Sequence, residues 1–102
     1  MNNLSSLQRS YLRSLAHHLE PVVLIGKNGI TDGAIETIKK SLDSRELIKI
    51  KFREFKDEKK SLSHQIAEST ESDVVGMIGH TVILFRQNPD PEKQNIHFPD
   101  LK

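Results

Sequence analysis

Apolar residues near the start of the chain recur at a helical interval. Leu4, Leu7, Tyr11, Leu12, Leu15 and Leu19 fall mostly three and four apart, with Ser5 or Ser6 placed as a capping hydroxyl. The pattern predicts a helix that Pro21 stops, because proline cannot continue a helix and disfavours it at the preceding residue. Arg9, Arg13 and His17 follow at intervals of four, away from the leucine stripe. Val22-Val23-Leu24-Ile25 is too short for a helix and partly β-branched, which predicts a buried strand. Gly26-Lys27-Asn28-Gly29 then breaks regular structure. Thr31 follows as the N-cap of a second helix, with Ile30 and Ile35 as a hydrophobic staple and Asp32 in the first turn. Ala34, Ile35, Ile38 and Leu42 form its buried stripe, and it ends near Ser44.

Over Leu47-Ile48-Lys49-Ile50-Lys51-Phe52-Arg53 the period changes to two. Ile48, Ile50 and Phe52 share one face, and Lys49, Lys51 and Arg53 the other, which predicts a strand with one side on a core and one in water. Asp57 to about Ser72 is expected to be a third helix, with Leu62, Ile66 and Ala67 as its apolar side. Val74-Val75-Gly76-Met77-Ile78 and Thr81-Val82-Ile83-Leu84-Phe85-Arg86 read as two strands of a hairpin, turned at Gly79-His80. Beyond them Pro89, Pro91 and Pro99 punctuate a polar tail in which Ile96-His97-Phe98 is placed to make a short edge contact. The order is α-β-α-β-α-β-β, an α/β chain of the α+β type. It comprises one domain over residues 1–87 and a tail over 88–102, without internal repeat.

At 102 residues there is room for one core. The absence of cysteine excludes disulfides, cysteine nucleophiles and thiolate zinc sites, and suits a reducing compartment. Met1-Asn2-Asn3-Leu4-Ser5 lacks the basic start and apolar core of a signal peptide, and no apolar run reaches membrane-spanning length. A soluble, cytoplasmic protein without a membrane partner is expected. The net charge of +1 conceals an asymmetry: residues 1–60 hold 12 Lys/Arg against 8 Asp/Glu, and residues 61–102 hold 3 against 6. A basic half suggests a polyanionic partner.

Candidate chemistry concentrates at Gly26-Lys27-Asn28-Gly29, between a strand and a capped helix. Two glycines let the backbone approach a ligand, free amides and the helix dipole favour an anion, and Lys27 adds charge at the tip. These parts describe a clamp for a phosphate backbone, the use that KH domains make of a GXXG loop. Asn-Gly is also an ordinary turn, so the loop alone leaves both readings open. Gly76-Met77-Ile78-Gly79 repeats the spacing without a charged tip or a following capped helix, and is read as hairpin geometry. Like charges crowded on one strand face, Lys49, Lys51 and Arg53, repel unless a polyanion or acidic neighbours compensate them. His80, in the hairpin turn beside Arg86, is a candidate to supplement that basic surface, with a solvated turn histidine as the default reading, whereas Lys39-Lys40 and Lys56, Lys59 and Lys60 read mainly as solvated faces. His17, His18, His64, His80 and His97 have no metal-binding spacing, no motif pairs a nucleophile with a base, and no dinucleotide or Walker pattern occurs. No catalytic residues, metal, cofactor or small-molecule substrate are expected, and the chain does not read as an enzyme. A protein-interaction module, with its basic face on an acidic partner, is the competing reading.

Four separated stretches together resemble a known family. They are Leu15-Ala16-His17; Pro21-Val22-Val23-Leu24-Ile25-Gly26-Lys27-Asn28-Gly29-Ile30-Thr31; Glu46-Leu47-Ile48-Lys49-Ile50-Lys51; and Ile78-Gly79-His80-Thr81-Val82-Ile83-Leu84-Phe85-Arg86. In order and spacing, over about residues 4–87, they look like the CRM domain, and more narrowly the stand-alone bacterial YhbY-like proteins. The resemblance implies a four-stranded mixed sheet packed with helices, similar to the C-terminal domain of bacterial translation initiation factor three. It implies RNA binding through the GxxG loop at Gly26, Lys27, Asn28 and Gly29; beside that loop, Thr31, Lys49, Lys51, Arg53, His80 and Arg86 are taken as RNA-binding candidates. For bacterial members it further implies association with ribosomal RNA in precursors of the large ribosomal subunit; plant relatives act in intron splicing. Where the family often has a basic residue after the hairpin glycine, this chain has His80, less charged near neutral pH.

Overall fold

A computed structural model describes residues 4–99. The start read at Met1 to Asn3 and the tail residues 100–102 lie outside the described residues. Helix α1 (Ser6–Ala16), strand β1 (Pro21–Ile25), helix α2 (Asp32–Arg45) and strand β2 (Leu47–Phe52) come first. A 3-10 turn (Lys56–Glu58) then leads into α3 (Lys59–Thr70), followed by β3 (Asp73–Ile78), β4 (Thr81–Phe85) and a short 3-10 turn (Pro91–Lys93). The helices and main strands follow in the expected order. The strands form one mixed sheet in the order β1-β2-β4-β3, with β1 parallel to β2 and the other pairs antiparallel.

Local chemistry sets the element starts. Ser5 Oγ accepts from Gln8 N at 3.1 Å while Ser5 N donates to Gln8 Oε1 at 2.9 Å, a reciprocal cap that satisfies two donors at the start of α1. Thr31 Oγ1 accepts from Ala34 N at 3.0 Å at the start of α2, with Ile30 and Ile35 both packed on the core beneath it. Helix α1 is shorter than the leucine spacing predicts. It ends at Ala16, and the intervening residues turn the chain so that Pro21 opens β1. Its contact face also differs from the predicted stripe, because Leu12 and Ala16 are buried whereas Leu7 and Leu15 are exposed. The helix meets the sheet along a narrow i, i+4 ridge. Arg9 donates to the Val74 carbonyl, and the Arg13 side chain lies over Gly76, where a Cβ would come within 3.1 Å of Arg13 Cδ.

The sheet carries a core on each side. Ile25, Ile48, Ile50, Phe52, Val82 and Leu84 pack with Ile38 and Leu42 of α2 and Ile66 and Ala67 of α3. Leu47, Val75, Ile83 and Phe85 pack against Leu12 and Ala16 of α1 on the other side. This arrangement corrects the reading of β1 and refines that of β2. β1 is an edge strand of the described sheet rather than a buried one: Ile25 faces the α2/α3 core, whereas Leu24 is exposed on the face that α1 leaves uncovered there. β2 is an inner strand whose Ile48, Ile50 and Phe52 face is buried as expected and whose Lys51 and the following Arg53 are exposed as expected, but α1 covers the start of that second face. Leu47 is buried there, and Lys49 is half-buried with its Nζ 3.4 Å from the His17 carbonyl at the end of α1.

The segment after β4 folds back over the α1 side. Glu46, fully buried with φ 66°, points its carboxylate at three backbone amides. Oε1 accepts from Asn95 N at 2.6 Å and Ile96 N at 2.8 Å, and Oε2 from Asn88 N at 2.6 Å. Ile96 and Phe98 then join the second core, with the Phe98 ring 5.8 Å from that of Phe85 and 5.9 Å from that of Tyr11. The contact is therefore with a sheet face rather than a strand edge. Among the described residues, no helix is long and apolar enough to cross a membrane.

Candidate nucleic-acid interface

Because β1 and β2 run parallel, their C-terminal ends leave the same end of the sheet. Antiparallel β4 begins there, so the β3–β4 turn arrives as well. Three loops thus converge: Gly26–Gly29, the segment after Phe52, and Gly79-His80. Main-chain bonds lock them. The Ile25 carbonyl accepts from Arg53 N at 2.9 Å and Glu54 N at 3.1 Å, and Phe52 N donates to the His80 carbonyl at 2.8 Å. Gly29 N closes the glycine loop on the Gly26 carbonyl at 3.0 Å. Gly29 has φ 69°, where a side chain is strained, whereas at Gly26 a Cβ would meet nothing within 4 Å.

Cations surround this meeting point. Lys27, Arg53 and Lys56 line one shallow depression together with Phe55 and the carboxylates Glu54, Asp57 and Glu58. Lys59, in the first turn of α3, donates to the Gly79 carbonyl at 2.6 Å and lies 3.2 Å from His80 Nδ1. An ammonium has only donors, so Nδ1 must be the unprotonated, accepting nitrogen. The electrostatics agree. Desolvation, and then the positive charges of Lys59, Lys56 and Lys51, hold His80 below the ordinary histidine range, with Asp57 acting in the opposite sense.

Of the residues singled out from sequence, Gly26, Lys27, Asn28, Gly29, Thr31, Lys51, Arg53 and His80 come to this end of the molecule. The Thr31 hydroxyl is engaged in capping α2. Lys49 is one row back, against α1, in a groove shared with His17, Lys51, Ile78 and Thr81. Arg86 is not brought to the loop. It follows β4 at the opposite end of the sheet, where Arg86 N donates to the Glu46 carbonyl. Its guanidinium donates to the Thr70 carbonyl at 2.8 Å and the Lys39 carbonyl at 3.2 Å, and pairs with Asp43. Those bonds tie the ends of α2 and α3 together.

The sequence reading missed three residues at the site. Lys56 and Lys59 read as solvated charge until the chain reversal after β2 placed them beside the glycine loop. Phe55 carried no periodic signal at all. The row Leu24, Lys51, Thr81 and Ile78, paired across all four strands, is also uncovered by α1, with Leu24 48% and Ile78 58% exposed. Among the described residues, no three His, Cys, Asp or Glu side chains gather as a metal would require.

The model of the CRS1 / YhbY (CRM) domain matches residues 4–86. The chain belongs to that family. Among CRM-domain relatives, it is 39% identical over 95 residues to a Haemophilus influenzae protein named "RNA-binding protein", covering 92% of this chain and 96% of that one. It is 33% identical over 97 residues to the Bacillus subtilis "Probable RNA-binding protein YqeI", covering 94% of this chain and 99% of the relative. A Staphylococcus aureus protein of known solution structure, 35% identical, superposes with a TM-score of 0.76 over 93% of this chain and 100% of its own. The CRM fold implied by the four sequence stretches is therefore the fold of this protein.

Proposed function

We propose that this protein binds RNA without chemistry of its own, gripping the phosphate backbone at Gly26–Gly29 and along the cations beside it. The observation that carries the reading is the convergence of the glycine loop with Lys27, Lys51, Arg53, Lys56 and Lys59 at one end of the sheet. The loop offers close backbone approach, and the lysines offer point charges suited to phosphates rather than to base edges. The names of the bacterial CRM relatives support the same partner. A surface of this kind holds backbone and shape with little intrinsic sequence preference. In the cell its selectivity would come from a large structured RNA, and ribosomal RNA in cytoplasmic precursors of the large subunit fits both that need and the family resemblance.

The test is equilibrium RNA binding by a Gly26→Asp variant. The position has room for a side chain, so the variant should fold with the wild-type circular dichroism spectrum. It also puts a carboxylate where the phosphate is to sit, so affinity should fall at least ~10-fold, the scale of one lost charge-assisted contact. A folded variant with wild-type affinity contradicts the loop assignment. Capture of an acidic protein by the basic surface, with no affinity for RNA, would favour the interaction-module reading.

A further inference from the structure

The aromatic residues are Tyr11, Phe52, Phe55, Phe85 and Phe98. Phe52 and Phe85 are buried in the two cores, and the Tyr11 and Phe98 rings pack on one another. Phe55 joins neither core and is 40% exposed. Its backbone is left-handed, φ 58° and ψ 37°, a conformation that crowds Cβ and that a bulky side chain rarely adopts. Glycine or asparagine would occupy such a loop position at less cost. The phenylalanine is thus strained without the compensation of core burial. Strain of this kind clusters at ligand sites, where it holds a side chain ready.

The ring is also specifically placed. Its far edge abuts the glycine loop, with Cε2 and Cζ 3.6 and 3.8 Å from where a Gly29 Cβ would stand. Around it, Lys27, Arg53 and Lys56 alternate with Glu54, Asp57 and Glu58 in the same depression. The carboxylates disfavour a phosphate on the ring itself, while the cations on the rim of the depression can hold the phosphates of the strand on either side of it. An uncharged nucleobase, one sugar away from a phosphate on the loop, suits both conditions.

We infer that Phe55 is a stacking platform for one unpaired base of the RNA whose backbone lies at Gly26–Gly29. The inference rests on the RNA-binding function proposed above and adds to it a preference for single-stranded or looped RNA. In an A-form duplex the bases are stacked on each other and present no open face to the ring. The contact discriminates weakly among bases, because every base has a π-face.

The experiment measures binding of a single-stranded RNA oligonucleotide of about eight nucleotides, and of the same strand with abasic central residues. Phe55→Leu keeps apolar bulk against Gly29 but removes the aromatic face. It should bind the natural strand roughly 5- to 150-fold more weakly than wild type, the range of one lost base stack. It should bind the abasic strand as wild type does, and keep the wild-type dependence on salt. Phe55→Tyr should behave as wild type on both strands. Phe55→Trp would be the sole tryptophan of the chain, and its fluorescence should be quenched by the natural strand and not by the abasic one. Wild-type affinity of Phe55→Leu for the natural strand overturns the inference. So does an equal loss on both strands, which would make the ring a prop for the loop. If Gly26→Asp weakens binding and Phe55→Leu does not, the function stands and the platform falls; a wild-type protein that binds neither strand overturns both.

Discussion

His80 stands in an environment that disfavours its charged form. Desolvation and the ammonium groups of Lys59, Lys56 and Lys51 keep its pKa low, and its Nδ1 accepts from Lys59, a bond that protonation breaks. A phosphate bound there, as proposed, would oppose this balance and raise the pKa in the complex, so that binding would take up a proton. RNA affinity should therefore rise as pH falls through the pKa of the complex, and level off below that of the free protein. Titrating affinity from about pH 8 to about pH 6 should show the rise in wild type and a smaller one in His80→Gln. Equal slopes would place His80 outside the contact surface. Glu46 makes the opposite case, a charged residue that looks like surface in the sequence and is buried in the fold. Its carboxylate is matched by three charge-assisted amide bonds. Glu46→Ala should cost about 2–4 kcal/mol in urea denaturation, tempered because the freed amides of residues 88–96 can hydrate. Glu46→Gln, with one acceptor oxygen in place of two, should fall between, and hydrogen exchange at Asn95 and Ile96 should report both losses.

The elements place the basic residues in two groups at opposite ends of the sheet. Arg86 ties Thr70 at the end of α3 to Lys39 and Asp43 of α2, far from the glycine loop. Arg86→Ala should lower stability by about 1–3 kcal/mol and leave RNA affinity and its salt dependence unchanged. Lys51, Arg53, Lys56 and Lys59 border the loop end of the sheet. Each Ala substitution there should flatten the plot of log affinity against log salt by about 0.7 for single-stranded RNA, one phosphate contact each. Lys49→Ala should change that slope less, since it lies one row back from the loop and α1 covers part of its surroundings. If Arg86→Ala and Lys51→Ala flatten the slope equally, the division fails. The strand period showed Lys49, Lys51 and Arg53 as equivalent, because a two-residue repeat states which face a residue occupies and not what covers that face.

At the scale of the whole molecule, the helices and cores place the proposed contacts at one end of the sheet, leaving a narrow basic surface with one exposed aromatic ring. Such a surface has few contacts to offer any short RNA and gains most from a large folded one. Fractionating a lysate on a sucrose gradient at low salt should place the protein with precursors of the large ribosomal subunit, and raised salt should release it to the top, as counterion competition demands. A protein that stays at the top at every salt concentration, or that follows only translating ribosomes, would separate RNA binding from this target.

Periodicity and capping chemistry are local, and they determined the order of the elements, the cap of α2, the hairpin at Gly79-His80 and the break in regular structure at Gly26–Gly29. The edge position of β1, the partial cover over β2 and the true contact ridge of α1 were decided only in three dimensions, because the first depends on which distant strands pair and the others on which face of the sheet each helix chooses. The same holds for Arg86 and Glu46, whose partners lie tens of residues away along the chain. Lys56, Lys59 and Phe55 came to lie beside the glycine loop for a related reason. The parallel pairing of β1 with β2 carries both strand ends to one place, and no local pattern in the chain records that meeting.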